Sequence, residues 1–404
     1  MRAEMSERRE AEGAPALEGA PAGPGPRDPS SAPLPRSRTR RKTRRRAVAA
    51  IILLALLVPG VSLTRALTYP GSATLQMRAV EWIRDHGGDS LVDRVENWWY
   101  TLHSPTGSAP DPAALPVAGS VGGAAASFAP PAPLPPLAGH PSVAGEGLWV
   151  PGRLGQGGRP ASYTSFVRPD AQHPSVVAGV GWIRAHDAVA HLVAGTVEPG
   201  GTGFSGGSRV APSDVGSLVA TFNSGWKMAG AAGGFYLDGR SVGALRDGKA
   251  SFVIDDTGTA TIGQWGRDMA MGPHVVAVRQ NLALIVDNGQ PAPGLSANSG
   301  QRWGSTKNQY QYTWRSAVGV DGAGDLLYVG GVNLTLRALA TALTDAGVVR
   351  GMELDIHSAM VSFSSWAPNA SGRVEPTRLL PTMTRPADRY LDPDQRDFFY
   401  LTLR

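Results

Sequence analysis

Ala317-Val-Gly-Val320, Asp321-Gly-Ala-Gly-Asp325 and Leu326-Leu-Tyr-Val329 read as two short strands joined by a turn. In the segment that follows, Leu336, Leu339, Ala340 and Leu343 share one helical face, Thr335 can cap the start and Gly347 can end it. Val348 to His357 then reads as a strand. A hairpin, a helix and a strand in that order predict an α+β domain with mostly antiparallel, mixed sheets and a few packed helices. Two earlier stretches agree. Ser251-Phe-Val-Ile254 and Thr259-Ala-Thr-Ile-Gly263 flank Asp-Asp-Thr-Gly258, and Leu282-Ala-Leu-Ile-Val286 runs into Asp287-Asn-Gly289.

The closing strand also holds the most chemistry. Met352-Glu-Leu-Asp-Ile-His357 alternates, so Glu353, Asp355 and His357 are expected on the face opposite Met352, Leu354 and Ile356. Side chains two apart on one face lie ~7 Å from each other, and carboxyl pairs at ~5–9.5 Å serve glycoside hydrolysis. A solvated face of an antiparallel sheet gives the same alternation. Leu218-Val-Ala-Thr-Phe222 runs into Asn223-Ser-Gly-Trp-Lys227, which offers an amide, backbone N–H groups and a cation to an anion or sugar. Asn and Gly are equally the default residues of a plain turn. Arg267, Arg279 and Arg315 lie near apolar strands, and guanidinium suits bidentate phosphate contact. No His spacing such as H-E-x-x-H points to a metal, and no cofactor is expected.

Several of these segments together resemble the phosphodiester glycosidase domain family. They are Phe222-Asn-Ser-Gly-Trp-Lys-Met228, Gly233-Gly-Phe-Tyr236, Asp238-Gly-Arg240, Val278-Arg-Gln-Asn-Leu282 and Trp314-Arg-Ser-Ala-Val-Gly-Val-Asp321. This family is related to N-acetylglucosamine-1-phosphodiester alpha-N-acetylglucosaminidase, the uncovering enzyme. The likeness extends to the membrane-anchored actinobacterial type through a Trp-Trp-Tyr stalk, Arg385-Pro-Ala-Asp-Arg-Tyr390 and Arg396-Asp-Phe-Phe399. It covers roughly residues 72–104 and 145–404.

The resemblance implies cleavage of the anomeric C–O bond of a sugar-1-phosphate diester. It places Asn223 in a strand-end Asn-Gly-Gly motif, Arg315 in an Arg-x-Ala-x-Gly motif and Asp355 on the Asp of Leu-Asp-Gly-Gly-x-Ser. For such a reaction we assign Asp355 as nucleophile or base with Glu353 as partner, phosphate to Arg315, Arg279 and Lys227, and the sugar to Asn223, with Arg240 and His357 also in the substrate site. The chain departs from the pattern after Asp355, where Ile356-His357 replaces Gly-Gly. Those glycines permit close backbone approach to a ligand. The departure favours an alternative, a non-catalytic envelope protein that binds a glycopolymer or protein partner.

Working outward to the N-terminus, residues 1–46 hold twelve Lys and Arg against six Asp and Glu, which leaves 26 against 27 in the rest. The basic character therefore belongs to the tail, and the globular part carries no field suited to nucleic acid. The tail is expected to be disordered. Ala47 to Leu63 is uncharged and apolar, directly after Arg44-Arg-Arg46. Residues 47–67 are therefore expected to span a cell membrane once, N-terminus cytoplasmic and C-terminal domain outside. Residues 68–104 form a helical stalk with a break at Gly87-Gly88, packed on itself or on a twin. Residues 105–144, rich in Pro, Ala, Gly and Ser, form a linker, and 145–404 the folded domain. With no Cys, disulfides and thiolate chemistry are excluded. The expected activity is extracytoplasmic hydrolysis of a glycosyl-1-phosphodiester of a cell-envelope glycan, such as an exopolysaccharide.

Overall fold

The computed structural model describes residues 38–116, 128–201, 203–297, 299–304 and 311–404. Most of the basic tail and the centre of the linker lie outside these. The chain divides into two units, residues 1–61 and 62–404.

The first described element is the helix Arg38–Leu67. Within it, Lys42–Leu67 is long and apolar enough to cross a membrane. Its 26 residues reach about 39 Å at 1.5 Å each, against a hydrocarbon core of ~30 Å.

The domain is α+β, with three sheets whose strand pairings are antiparallel. The largest has eight strands in the order Val150–Pro151, Ser162–Val167, Ala178–Ile183, Leu326–Leu334, Thr313–Asp321, Val348–Ile356, Leu284–Asp287, Gln290–Pro291. A second runs Arg240–Val242, Phe235–Leu237, Val275–Gln280, Ala250–Asp255, Ala260–Gln264. The third runs Val374–Arg378, Phe363–Pro368, Leu218–Asn223, Phe398–Leu403, Ala188–Val193. The three hairpins expected from sequence all form.

Both faces of the large sheet are covered, which explains why its strands read as unbroken apolar runs. Leu326 and Tyr328 join a core with Phe222, Phe252, Phe363 and Phe399 of the smaller sheets. Leu327 and Val329 point the other way, against the helix Leu336–Asp345. Thr335 caps that helix, its Oγ1 accepting from the Ala338 N–H at 3.1 Å. Leu336, Leu339 and Leu343 of this helix are fully buried, and each such burial is worth about 1.5–3 kcal/mol.

The stalk is two helices, Leu75–Ile83 and Asp89–Leu102. Gly87 between them takes φ 85°, a left-handed conformation that glycine adopts without steric cost. Arg84 bridges the two helices by ion pairs to Asp93 at 3.2 Å and Glu96 at 2.8 Å. The stalk lies against the domain, where the sequence suggested packing on itself or a twin. Charged stalk residues take part in that contact: Glu81 and Asp85 meet Lys227, and Glu96 meets His357.

Packing also begins earlier than the linker reading implies. Leu134 is buried, Trp149 donates from Nε1 to the Ala132 carbonyl, and Arg168 pairs with Glu146 in the interior at 2.8 Å. Prolines remove donors but leave the apolar side chains between them able to pack.

Candidate functional site

The site lies where the stalk meets the end of the strand Val348–Ile356. The first surprise is that neither face of this strand is solvated: residues 351–356 are all buried. The alternation is also interrupted. Arg315 pairs with Ile356 but Ala317 pairs with Glu353, so one extra residue bulges out of the ladder between them. Bulges re-aim side chains, and here the two carboxylates part company.

Glu353 is fully enclosed. Its Oε1 accepts from Arg315 Nη1 at 2.7 Å, and Arg315 Nε donates to the Leu334 carbonyl. Burial, opposed by Arg315 and reinforced by Asp355, pushes the Glu353 carboxyl up to about 7. Asp355, in contrast, borders an open chamber. Its backbone N–H donates to the Ser224 carbonyl and its own carbonyl accepts from Ser316 Oγ. Its Oδ1 accepts from the Ile356 N–H and its Oδ2 pairs with Arg396 at 2.7 Å. Burial raises the Asp355 pKa, against the pull of Arg396 and His357.

Asn223 fixes this corner. Its Oδ1 accepts from Tyr328 OH and the Ser362 N–H, and its Nδ2 donates to Ser316 Oγ and the Ser224 carbonyl. All four capacities of the amide are thereby used within the protein, and the residue is 3% exposed. Arg279 is likewise interior: Nε donates to Asp397 at 2.6 Å and its remaining nitrogens to the Gln280 and Trp226 carbonyls. Neither Arg279, Arg315 nor Asn223 borders the chamber, and Arg240 is exposed on an edge strand of the second sheet.

Lys227 and His357 do border it. His357 takes φ 80°, a left-handed conformation uncommon for residues other than Gly, though His is among those found there more often. Its ring faces the stalk, with Nδ1 3.2 Å from Glu96. Although burial acts to raise it, His357 and Arg84 hold the Glu96 carboxyl down to about 2. Lys227 Nζ lies 2.5 Å from both Glu81 and Asp85, and Glu81 also reaches Arg396 at 3.6 Å.

The chamber has a volume of about 790 Å³, within the ~300–1,000 Å³ of ligand sites. Its walls are largely apolar, with Val80, Ile83, Val92 and Trp99 from the stalk and Trp226 and Met360 from the domain. Its ionisable lining is mixed: the carboxylates Glu81, Asp89, Asp93, Glu96 and Asp355, and the basic side chains Arg84, Lys227, Arg396 and His357. Of these, Arg396 was not given a role from sequence, although its Arg-Asp-Phe-Phe motif stood out. The stalk carboxylates Glu81, Asp85 and Glu96 were missed because charges at helical spacing are the ordinary mark of a solvated face. Among the described residues, no group of three His, Asp or Glu side chains is placed to hold a metal.

No family model matches the chain, and no curated protein does. Among solved structures, it is distantly similar to the catalytic domain of zebrafish N-acetylglucosamine-1-phosphodiester alpha-N-acetylglucosaminidase, auto-inhibited by its pro-peptide. That match has 16% identity and a TM-score of 0.40, over 63% of this chain and 87% of that one. A hypothetical protein from Synechocystis matches with 12% identity and a TM-score of 0.32, over 57% and 59% of the two chains. A putative exported protein from Burkholderia pseudomallei matches with 13% identity and a TM-score of 0.32, over 61% and 75%.

Proposed function

We propose that the chain hydrolyses a glycosyl-1-phosphodiester, with Asp355 as the reacting carboxylate, and that it does so on the outer side of a membrane crossed by Lys42–Leu67. The observation that carries this reading is a buried carboxylate, Asp355, that borders a large chamber with Arg396, Lys227 and His357 beside it in the lining. A phosphate monoester leaves readily, so the protein's task is to hold phosphate and stabilise an oxocarbenium-like transition state. Asp355 attacks the anomeric carbon or takes a proton from the attacking water. Arg396, Lys227 and His357 stabilise the departing phosphate, and Trp226 offers an apolar face to the sugar. Glu353, behind Asp355 and paired with Arg315, supports the strand. The test is a turnover assay of the full chain in detergent with UDP-sugars and simple sugar-1-phosphate diesters. Release of free sugar supports the reading, and inertness across the panel sinks it.

A second reading, a non-catalytic module that binds a glycopolymer or a protein partner, is favoured by Ile356-His357 where the resemblance implies Gly-Gly. Each site cation already faces a carboxylate: Lys227 faces Glu81 and Asp85, His357 faces Glu96, and Arg396 faces Asp355. An anionic ligand must therefore displace stalk carboxylates under either reading. The triple variant Glu81→Gln, Asp85→Asn, Glu96→Gln is expected to bind a phosphodiester about tenfold more tightly, the equivalent of one modest ion-pair competition of ~1.4 kcal/mol. Calorimetric titration of the full chain checks this, and unchanged or weaker binding would show that the stalk acids do not compete.

The orientation has its own test. Protease added to intact cells is expected to cut within residues 105–142 and leave residues 1–46 protected, because Arg44-Arg-Arg46 precedes the apolar run. Protection of the domain instead would reverse the topology.

A further inference from the structure

The Arg385-Pro-Ala-Asp-Arg-Tyr390 and Arg396-Asp-Phe-Phe399 segments stand out in the sequence, yet the proposed chemistry uses only Arg396. Both line a second, smaller cavity between the base of the stalk and the C-terminal segment. Four guanidinium groups line it, those of Arg78, Arg385, Arg389 and Arg396, against two carboxylates, Glu81 and Asp394.

Arg396 is paired with Asp355 at 2.7 Å, but the charges of Arg78 and Arg385 are left unbalanced. Arg389 occupies Asp394 with Nε at 2.7 Å and Nη2 at 3.1 Å. Arg385 gets only a long contact to Asp394 at 3.3 Å, with Ser72 Oγ and the Ala359 carbonyl as its other partners. Arg78 is held by the carbonyls of Leu67, Tyr69, Gly71 and Ala73, and by no carboxylate among the described residues. Two N–H groups, Nε of Arg385 and Nε of Arg396, are buried with no acceptor. Those residues are 4% and 7% exposed. Burial and the neighbouring Arg389 and Arg78 pull the Arg385 guanidinium down to about 10. Unsatisfied buried donors on charged groups are costly, and both of these belong to residues that line one cavity. Its volume is about 30 Å³, more than the ~10–15 Å³ one water needs. A water would satisfy the hydrogen bonds but leave the charge.

We propose that this cavity binds a small oxyanion of the phosphate class, and that the bound anion clasps the stalk base, through Ser72 and Arg78, to the segment Arg385–Arg396. Guanidinium forks match the oxygens of such an anion. The site stands independently of any turnover at Asp355.

The experiment is a calorimetric titration of the full chain in detergent with inorganic phosphate at fixed ionic strength, paired with thermal unfolding. One phosphate per chain is expected, with a saturating rise in the unfolding midpoint that chloride at the same ionic strength does not give. Sulfate should act as phosphate does. Arg385→Met should abolish the response, and Arg385→Lys, which keeps the charge but loses the fork, should weaken binding at least tenfold. If the Met variant does not fold, the Lys variant decides. Phosphate binding that is lost in Lys227→Gln but kept in Arg385→Met would place the anion in the chamber and overturn the proposal. Absence of a saturable phosphate effect in the wild type, an effect matched by chloride, or an undiminished response in the Arg385 variants would overturn the proposal.

Discussion

Replacing Asp355 with Asn is expected to reduce turnover of a glycosyl-1-phosphodiester by about 10⁴-fold or more while the domain stays folded, the scale on which loss of one member of a catalytic set acts. Asn has the shape of Asp but is neither nucleophile nor base. Folding should survive for a specific reason. Asp355 is anchored chiefly by backbone, through its N–H to Ser224 and its carbonyl from Ser316, and a neutral amide relieves the desolvation that raises its pKa. Arg396 keeps the Gly225 carbonyl and Glu81. Steady-state kinetics beside thermal unfolding checks both halves. Residual turnover within tenfold of wild type would remove Asp355 from the reaction.

Replacing Arg315 with Ala is expected to destabilise the domain by about 3–5 kcal/mol, the cost of stripping one partner from a buried ion pair. Arg315 and Glu353 are both fully buried, 2.7 Å apart, with no solvent to compensate the survivor. The pH dependence is diagnostic. Burial raises Glu353 to about 7 in the folded chain, so stability is fully present below the unfolded carboxyl value and falls as pH rises towards 7. Without Arg315, which acts to lower that value, Glu353 stays protonated to higher pH. The cost of Arg315→Ala should therefore grow by up to about 1.4 kcal/mol per pH unit above about 7. Denaturant unfolding at pH 5 and pH 8 measures this. An equal cost at both would place the destabilisation in packing rather than charge.

The hairpins, the helix Leu336–Asp345 and its cap were legible because each has a local cause: a turn sequence, a 3.6-residue period, a threonine before it. The bulge between Glu353 and Ile356 was not, since period-2 alternation in the letters carries no mark of where a ladder slips. Burial of Asn223, Arg279 and Arg315 was equally hidden. Their partners Ser362, Asp397 and Glu353 lie 139, 118 and 38 residues away, and a polar residue looks the same in sequence whether it meets a ligand or a distant strand. The stalk shows the reverse case. Glu81, Asp85 and Glu96 at helical spacing imitate a solvated face, and only the fold brings them to Lys227, His357 and Arg396. What the sequence did carry towards the chamber was Asp355, Lys227 and His357, the last at a position where a glycine would take the left-handed backbone without strain.

The central claim, that Asp355 serves cleavage at the anomeric carbon, is tested most directly by running the reaction in ¹⁸O-labelled water and locating the label. The account predicts ¹⁸O on the sugar and unlabelled phosphate monoester, in the wild type only and not in Asp355→Asn. Label on the phosphate would mean P–O cleavage, and would contradict the account even if turnover were fast.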